Sequence, residues 1–398
     1  MSSGPLTPDE IEADRAATPG CRPDLIHLNH AGSSLPPQVV LDTQLDHLRL
    51  EATIGGYEAA AATVDERAAV YGSIARLIGA DRSEIARCEH ATAAWNAAFW
   101  SIPMEPGRRI LVHDHEYGAN AIAFLHAAAT RGVAVERIAS DEHGQVSVDA
   151  LADSLGDGGD VALVSLTWVP TNSGLVNPAG AVGRLARVAG VPYLVDACQA
   201  VGQLGIDVDE IGCDFLSATG RKYLRGPRGT GFLYARSSIL DRVTPSQPDH
   251  DGAVWAAADQ YEFATGAKRY EHWEHSPAGW LALGAAVDHA LAFGIDRIEP
   301  TIAARAETLR GMLRDIGFTV YDEGVDRCGI VTAASDLHSA LDLQRMLGEQ
   351  GINVSTTGIG SSRWDVERRD LPPLLRLSVH YTTTDDELAR TVKVLAGA

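Results

Sequence analysis

The chain offers three lysines as amine nucleophiles: Lys222, Lys268 and Lys393. Lys222 is set apart by its surroundings, Phe215–Leu233, which read FLSATGRKYLRGPRGTGFL. Apolar, β-rich sequence flanks it on both sides, so its loop falls at the edge of a sheet. Gly220, Gly226, Gly229 and Gly231 permit unusual backbone angles and close approach to a ligand. Thr219 and Arg221, just before the lysine, are good phosphate ligands. A lysine desolvated among cations is a competent nucleophile, whereas a solvated loop charge is not. A second segment, Tyr193–Gly202, reads YLVDACQAVG and sets Asp196 at the carboxyl end of an apolar strand. A carboxylate there is costly without a partner, unless it merely caps the next helix.

Both groups sit in a chain that alternates helical and strand-like stretches from about residue 60 to residue 240. Asp65–Ala80 reads as an amphipathic helix, Arg109–Asp114 as a strand and Gly118–Thr130 as a helix. Val133–Ala139 and Val161–Trp168 are strand-like, Val182–Val188 is helical, and Tyr193–Ala197 and Gly229–Ala235 are again apolar and β-rich. Buried parallel strands with crossover helices give this pattern, and their ligand site lies beyond the carboxyl ends of the strands. After Asp296 the pattern changes. Helices are expected at Thr301–Ile316, Leu337–Gln350 and Asp385–Leu395, with strand-like FTVY, GIVTAA, INVSTT and LLRLSVHY between them. The expected organisation is an N-terminal arm over residues 1–30 associated with the small domain, a large domain over 31–296, and a small α+β domain over 297–398.

Composition removes several classes of function. With 53 acidic and 33 basic residues the net charge is −20, which argues against nucleic-acid or anionic-membrane partners. The N-terminal sequence lacks a positive segment followed by an apolar one, and no apolar run approaches a membrane span; a cytoplasmic location is expected. The five cysteines are scattered without a C-x-x-C pair, and neither His113/His115 nor His272/His275 has a third ligand in sequence, so no metal is expected.

Lys222 and Asp196 together suit pyridoxal 5′-phosphate (PLP): the lysine forms the Schiff base, and the aspartate pairs with a protonated pyridine nitrogen, which makes the ring an electron sink. The two segments resemble class V of the PLP-dependent aminotransferase superfamily, the fold-type-I group with cysteine desulfurases, kynureninase-like enzymes and C–S lyases. The resemblance runs from about Leu28 to the C-terminus and rests on D-A-x-Q, a strand and T-G-R-K…G-P-R-G in combination. It implies an α/β protein of PLP fold type I, a doubly wound mixed sheet in a large domain with a smaller α+β C-terminal domain. A homodimer is implied as well.

The resemblance then assigns further positions. His90–Asn96 matches the phosphate-cup turn, with the Ala91 and Thr92 amides at a helix N-terminus. Glu116-Tyr117-Gly118-Ala119-Asn120 matches E-H-x-A-N, so Tyr117 takes the place of the ring stacked on the cofactor. Desulfurases resemble one another in having histidine there, and tyrosine is a poorer proton shuttle near neutral pH. Thr171, or Asn172 by a one-residue slip, matches the polar residue near the cofactor hydroxyl, and Gln199 the glutamine at the same oxygen. Arg376, in LLRLSVHYTTTDDEL, matches the arginine that clamps the substrate α-carboxylate. Arg269-Tyr270-Glu271 resembles the segment before a phosphate contact given across the dimer. The usual Gly-Thr is replaced by His272-Trp273-Glu274, which shifts the expected partner contact to backbone or Ser276 within Trp273–Ser276. Asn29-His30-Ala31-Gly32 and Gly55-Gly56-Tyr57-Glu58 resemble substrate-side loops, which puts Ala31, Gly32 and Tyr57 with Arg228 on the substrate side.

The reaction follows less directly. G-G-Y-E-A-A and R-K-x-L-x-G-P-R-G resemble hercynylcysteine sulfoxide lyases, which cleave a cysteine C–S bond. A desulfurase needs a nucleophilic cysteine on a mobile loop before the carboxylate-binding arginine, and the corresponding Ser355–Arg369, STTGIGSSRWDVERR, has none. The expectation is a C–S β-lyase acting on a cysteine S-conjugate. An aminotransferase, a decarboxylating deaminase or an epimerase is the alternative on the same scaffold, and a regulator without turnover is disfavoured by the intact Lys222, Asp196 and Arg376.

Overall fold

The apolar runs of the first 240 residues assemble into one seven-stranded sheet in the computed structural model, which describes residues 4–397. Helix α1 (Pro8–Ala16) and the two-residue β1 (Ile26–His27) come first, then helices α2 (Gln38–Ile54), α3 (Gly56–Ala62) and α4 (Val64–Ile78). The sheet is built from β2 (Ile85–Cys88), β3 (Arg109–His113), β4 (Ala134–Ile138), β5 (Val161–Thr167), β6 (Tyr193–Asp196), β7 (Phe215–Thr219) and β8 (Gly231–Ala235). Their order is β2-β8-β7-β6-β5-β3-β4, and β8 alone runs against the rest. The crossovers carry α5 (Ala91–Ser101), α6 (Gly118–Arg131), α7 (Val148–Leu155), α8 (Ala179–Ala189) and the short α9 (Val208–Ile211).

The two-residue period of the strands feeds two cores. Ile110, Leu163, Leu194, Phe215 and Leu233 pack with α5 and α6, while Leu111, Val164, Val195 and Leu216 pack with α7 and α8. Trp95 and Phe99 of α5 stack at 4.7 Å, and Phe124 of α6 meets both edge-on. Each such pair contributes about 0.5–1.5 kcal/mol beyond its buried area. Because both faces are covered, β5 is buried throughout and its sequence does not alternate.

The expected pattern after residue 296 also forms. A hairpin of β9 (Ala253–Ala257) and β10 (Gln260–Phe263) and helix α10 (Pro277–Phe293) precede the long α11 (Ile295–Asp315). Then come β11 (Thr319–Val320), β12 (Ile330–Ala334), α12 (Ala340–Glu349), β13 (Ile352–Asn353), β14 (Ser355–Thr357), α13 (Arg363–Arg369), β15 (Leu374–Ser378) and α14 (Asp385–Ala396). The antiparallel order is β11-β12-β15-β14, and β13 pairs in parallel with β1. Helix α11 starts six residues before the expected Thr301 because Pro300 is accommodated inside it; proline ordinarily ends or starts a helix. The start of the chain is tied to the last third. The Leu6 amide donates to Thr301 Oγ1 at 2.9 Å, Arg297 pairs with Glu10 at 2.6 Å and Arg15 with Glu387 at 2.9 Å. Among the described residues no single helix is long and apolar enough to cross a membrane.

Candidate active site

The carboxyl ends of β2, β3, β5, β6 and β7 open on one cleft of about 260 Å³. Its lining takes His90, Ala91 and Thr92 after β2, Tyr117 and Asn120 after β3, Thr167 at the end of β5 and Thr171 just beyond it. Asp196, Cys198 and Gln199 come from the end of β6, and Thr219, Arg221, Lys222 and Arg228 from the end of β7 and its loop. The cofactor-side residues expected from sequence are therefore brought together, and Lys222 is only 9% exposed. Burial pushes the Cys198 thiol up, opposed by the Lys222 charge.

Asp196 accepts the Cys198 amide at 2.9 Å on one oxygen and Asn120 Nδ2 at 2.9 Å on the other. At α5 the His90 ring accepts the Ala93 amide at 3.0 Å, and the Ala91 and Thr92 amides stand at the cleft. The strand beside this turn has to be glycine at Gly231, where a Cβ would lie 2.9 Å from the His90 backbone. Gln199 Nε2 donates to the Ala31 carbonyl at 3.2 Å, while its Oε1 is buried with no partner. Tyr117 precedes α6 and is 41% exposed at the cleft.

Arg376, on β15, is 8% exposed and has no acidic partner. Its guanidinium donates to Thr171 Oγ1 at 2.8 Å, to the Thr171 carbonyl at 3.2 Å and to Asn29 Oδ1 at 3.4 Å, leaving Nε unpaired. Burial lowers its proton affinity, with Arg221 adding to the effect. A buried guanidinium held only by neutral acceptors suits an incoming carboxylate. Thr171 and not Asn172 lines the cleft, since Asn172 turns away to donate to Asp365 at 2.8 Å.

Several expected residues do other work. Arg221 donates to the Gly32 carbonyl, which joins the first substrate-side loop to the lysine loop. Thr219 Oγ1 donates to the Thr230 carbonyl at 3.2 Å and keeps its lone pairs for a ligand. Tyr57 does not reach the cleft in this chain. It stands 79% exposed on α3 and lines a separate groove of about 730 Å³ with Arg67, Trp273, Ser276 and Trp280. That groove holds none of Lys222, Asp196 or Arg376. Ser276 caps α10 by accepting the Gly279 amide at 3.0 Å.

Arg225, read from sequence only as one of the loop cations, is the hinge of the lysine loop. It is buried with a positive φ of 60°, donates to Leu35 O at 3.0 Å and Tyr381 Oη at 2.7 Å, and pairs with Asp14. Its partner Asp14 is also bound by His289 at 2.7 Å. Burial works to raise the Asp14 carboxyl, but His289 and Arg225 overcome it and hold it well below the usual range.

Sequence reading passed over Glu116 as a charged group, although it opens the segment that supplies Tyr117 and Asn120. It is 2% exposed, and burial, helped by Asp196 and opposed by Thr167 and Asn120, pushes it up to about 7. The signal was an acid three residues beyond an apolar strand.

The Ser355–Arg369 segment, where a desulfurase would need a mobile thiol loop, consists of β14, a five-residue turn and α13. Its α13 is fixed to the large sheet, with Asp365 3.2 Å from His115 Nε2 and the Ser361 carbonyl accepting the Gly118 amide at 2.8 Å.

This architecture, with a lysine and an aspartate at the strand ends, is that of the class-V aminotransferase family, to which the chain belongs: the family model, Aminotransferase class-V, matches residues 26–391. The protein is thus a PLP-dependent enzyme, and the cleft's orphaned Gln199 oxygen, its helix-start turn at Ala91 and Thr92 and its buried Lys222 fit that cofactor. Among curated relatives, a probable hercynylcysteine sulfoxide lyase of Mycobacterium tuberculosis (strain CDC 1551 / Oshkosh) is 30% identical over 379 residues, 94% of this chain and 90% of that one. A probable cysteine desulfurase of Xylella fastidiosa (strain Temecula1 / ATCC 700964) is 29% identical over 382 residues, 93% of this chain and 90% of that one. Among solved structures, an apo cysteine desulfurase from Thermococcus onnurineus NA1 superposes with a TM-score of 0.90 at 20% identity, covering 97% of both chains. A complex of the cystine C-S lyase C-DES with its product cysteine persulfide gives 0.82 at 22% identity, covering 93% of this chain and 97% of that one. At these identities the structural likeness is one of fold.

Proposed function

We propose that the enzyme is a C–S β-lyase that cleaves a cysteine S-conjugate to a thiol or sulfenate, pyruvate and ammonia. The observation that carries this reading is the Ser355–Arg369 segment. It contains no cysteine, and Asp365 ties it down where a desulfurase needs a mobile thiol. The relatives named for cysteine chemistry, one a sulfoxide lyase and one a desulfurase, support the substrate class.

Lys222, Asp196, Gln199, Thr219 and the Ala91 and Thr92 amides are the residues that would hold the cofactor, which supplies an electron sink for the pair released at the substrate Cα. Arg376 binds the α-carboxylate, and Thr171 and Asn29 aim its guanidinium. Lys222 Nζ is the base for the Cα proton, and the sulfur leaves from Cβ with that bond's electron pair. The remaining enamine takes up water to give pyruvate and ammonia. Tyr117 and Arg228 line the cleft, Ala31 and Gly32 brace it through the Gln199 and Arg221 side chains, and Tyr57 joins a substrate pocket only if a second chain brings it there.

A homodimer is part of the proposal. Exposed Tyr57, Val64 and Trp273 line one groove, and Val39, Leu45, Leu48 and Ile54 are exposed on α2. Trp273–Ser276 is the stretch proposed to reach the partner's cofactor. The test is product analysis on a panel of cysteine S-conjugates. Equimolar pyruvate and ammonia are expected; a keto acid with a pyridoxamine form of the enzyme would make it an aminotransferase instead.

A further inference from the structure

Behind the aspartate of the cleft stands a second acid. Glu116 Oε2 accepts Thr167 Oγ1 at 2.9 Å and Asn120 Nδ2 at 3.2 Å, and the same Nδ2 donates to Asp196 Oδ2 at 2.9 Å. One amide nitrogen therefore ties two carboxyls together. Glu116 Oε1 is buried without a partner, so the group has room for a proton that no neighbour shares. Two negative charges bridged by a neutral amide in a dry site are costly, and one of the pair keeps its proton. Each Asp196 oxygen accepts an N–H, from Cys198 and from Asn120, whereas both bonds to Glu116 fall on Oε2.

The surroundings leave Asp196 as the charged neighbour that acts on Glu116. Thr167 of β5 and Asn120 of α6 are uncharged, and the preceding His115 turns to Asp365. Burial and the Asp196 charge together push Glu116 up to about 7, so its protonation changes near neutral pH.

We propose that Glu116 is a positioning residue for the cofactor's ring nitrogen: held through Asn120 behind Asp196, it carries a proton that it gives up when that ring cation is bound. The step is an ionisation. The Glu116 O–H bond breaks, the proton passes to buffer, the carboxylate keeps the electron pair, and the ring nitrogen retains its own proton. A cation beside Asp196 offsets the negative charge that had kept Glu116 neutral, so cofactor binding and proton release are linked, and the linkage is reciprocal. The inference rests on the reading of Asp196 as the partner of the ring nitrogen.

The test is calorimetric titration of pyridoxal 5′-phosphate into the full chain resolved of its cofactor, in buffers of different ionisation enthalpy, between pH 6 and pH 8. The wild type is expected to release about half a proton more per site near pH 7 than Glu116→Gln, which keeps both hydrogen bonds but cannot ionise. Thr167→Val removes a hydroxyl that favours the ionised form, so its excess release moves to higher pH. Equal proton counts in wild type and Glu116→Gln overturn the proposal, as does a Thr167→Val profile that stays in place should Glu116→Gln not fold. Asp196→Asn separates the two layers. If it binds the cofactor with the wild-type visible band and proton count, the Asp196 reading itself falls; if it is altered while Glu116→Gln matches wild type, only the role of Glu116 falls.

Discussion

His115 Nε2 stands 3.2 Å from Asp365 Oδ1, with both side chains buried, and this contact joins the turn after β3 to helix α13. Arg368 pairs with the same oxygen at 2.7 Å, and Arg369 and Asn172 reach the other. Burial works to raise the Asp365 carboxyl, and His115, Arg369 and Asn172 together hold it well below the usual range. Because its folded value is depressed, its stabilisation is fully present above about pH 4 and is lost as pH falls towards the folded value. Asp365→Ala should cost about 1–3 kcal/mol at pH 7, since it removes the buried acceptor of Asn172 and the acidic neighbour of His115, while Arg368 and Arg369 keep Asp114 and Glu323. Urea unfolding should show that deficit shrinking below pH 4, and limited proteolysis should open the chain between Gly358 and Arg369. A deficit that is constant from pH 7 to pH 3 contradicts the ionic role.

Lys222→Ala should abolish the visible absorbance of the lysine-bound cofactor and all turnover. Lys268→Ala and Lys393→Ala should keep both, because Lys268 pairs with Asp251 at 3.0 Å on the surface and Lys393 lies on α14. Borohydride reduction followed by peptide mapping checks this. A reducible linkage surviving in Lys222→Ala refutes it.

Asp196→Asn should leave the cofactor bound and lower kcat by on the order of 10²–10³, the scale seen when a preorganised charge is removed from a reacting centre. The substitution preserves the shape and one acceptor, so thermal stability should change little. Near-normal kcat would reduce Asp196 to a cap of the turn after β6.

What could be read in advance was the chemistry that dictates residue types. A Schiff base needs lysine, a pyridine nitrogen needs a carboxylate, and a substrate carboxylate favours arginine, so Lys222, Asp196 and Arg376 stood out. Helix α10 did not, because PAGWLALGAAVDHALAF is apolar all round and gives no 3.6-residue signal. The pairing of Glu116 with Asn120 is local in sequence, yet its meaning depends on Asp196 seventy-six positions away from Asn120. Arg225 is similar. Its partner Asp14 lies 211 residues earlier, and no local pattern reveals such a contact.

If no thiol takes part in the chemistry, replacing all five cysteines with serine or alanine should spare catalysis in any variant that folds and binds the cofactor. Cys198→Ala is the exception to watch, because Cys198 lies between Asp196 and Gln199 in the cleft, and the visible band is the control. Cys328 is buried, and its thiol is pushed up to about 11 by burial, which suits a structural role. Alanine formed from cysteine and lost only in Cys328→Ala would restore a desulfurase.

Sedimentation at micromolar concentration should show a dimer, and Tyr57→Glu together with Trp273→Glu should weaken it at least tenfold, since each charge would be buried against apolar neighbours. The wild type sedimenting as an active monomer removes the shared-site proposal.

The clasp around Arg225 has a consequence for the order of events in synthesis. Asp14 and Leu35 come from the first part of the chain and Tyr381 from the last, and all three grip the residue that sets the bend three positions after Lys222. Asp14 and Leu35 precede every strand of the seven-stranded sheet in synthesis, whereas Tyr381 follows them all. The lysine loop is thus braced from positions far apart in sequence, and its bond to Tyr381 can form only after every strand of that sheet has been made.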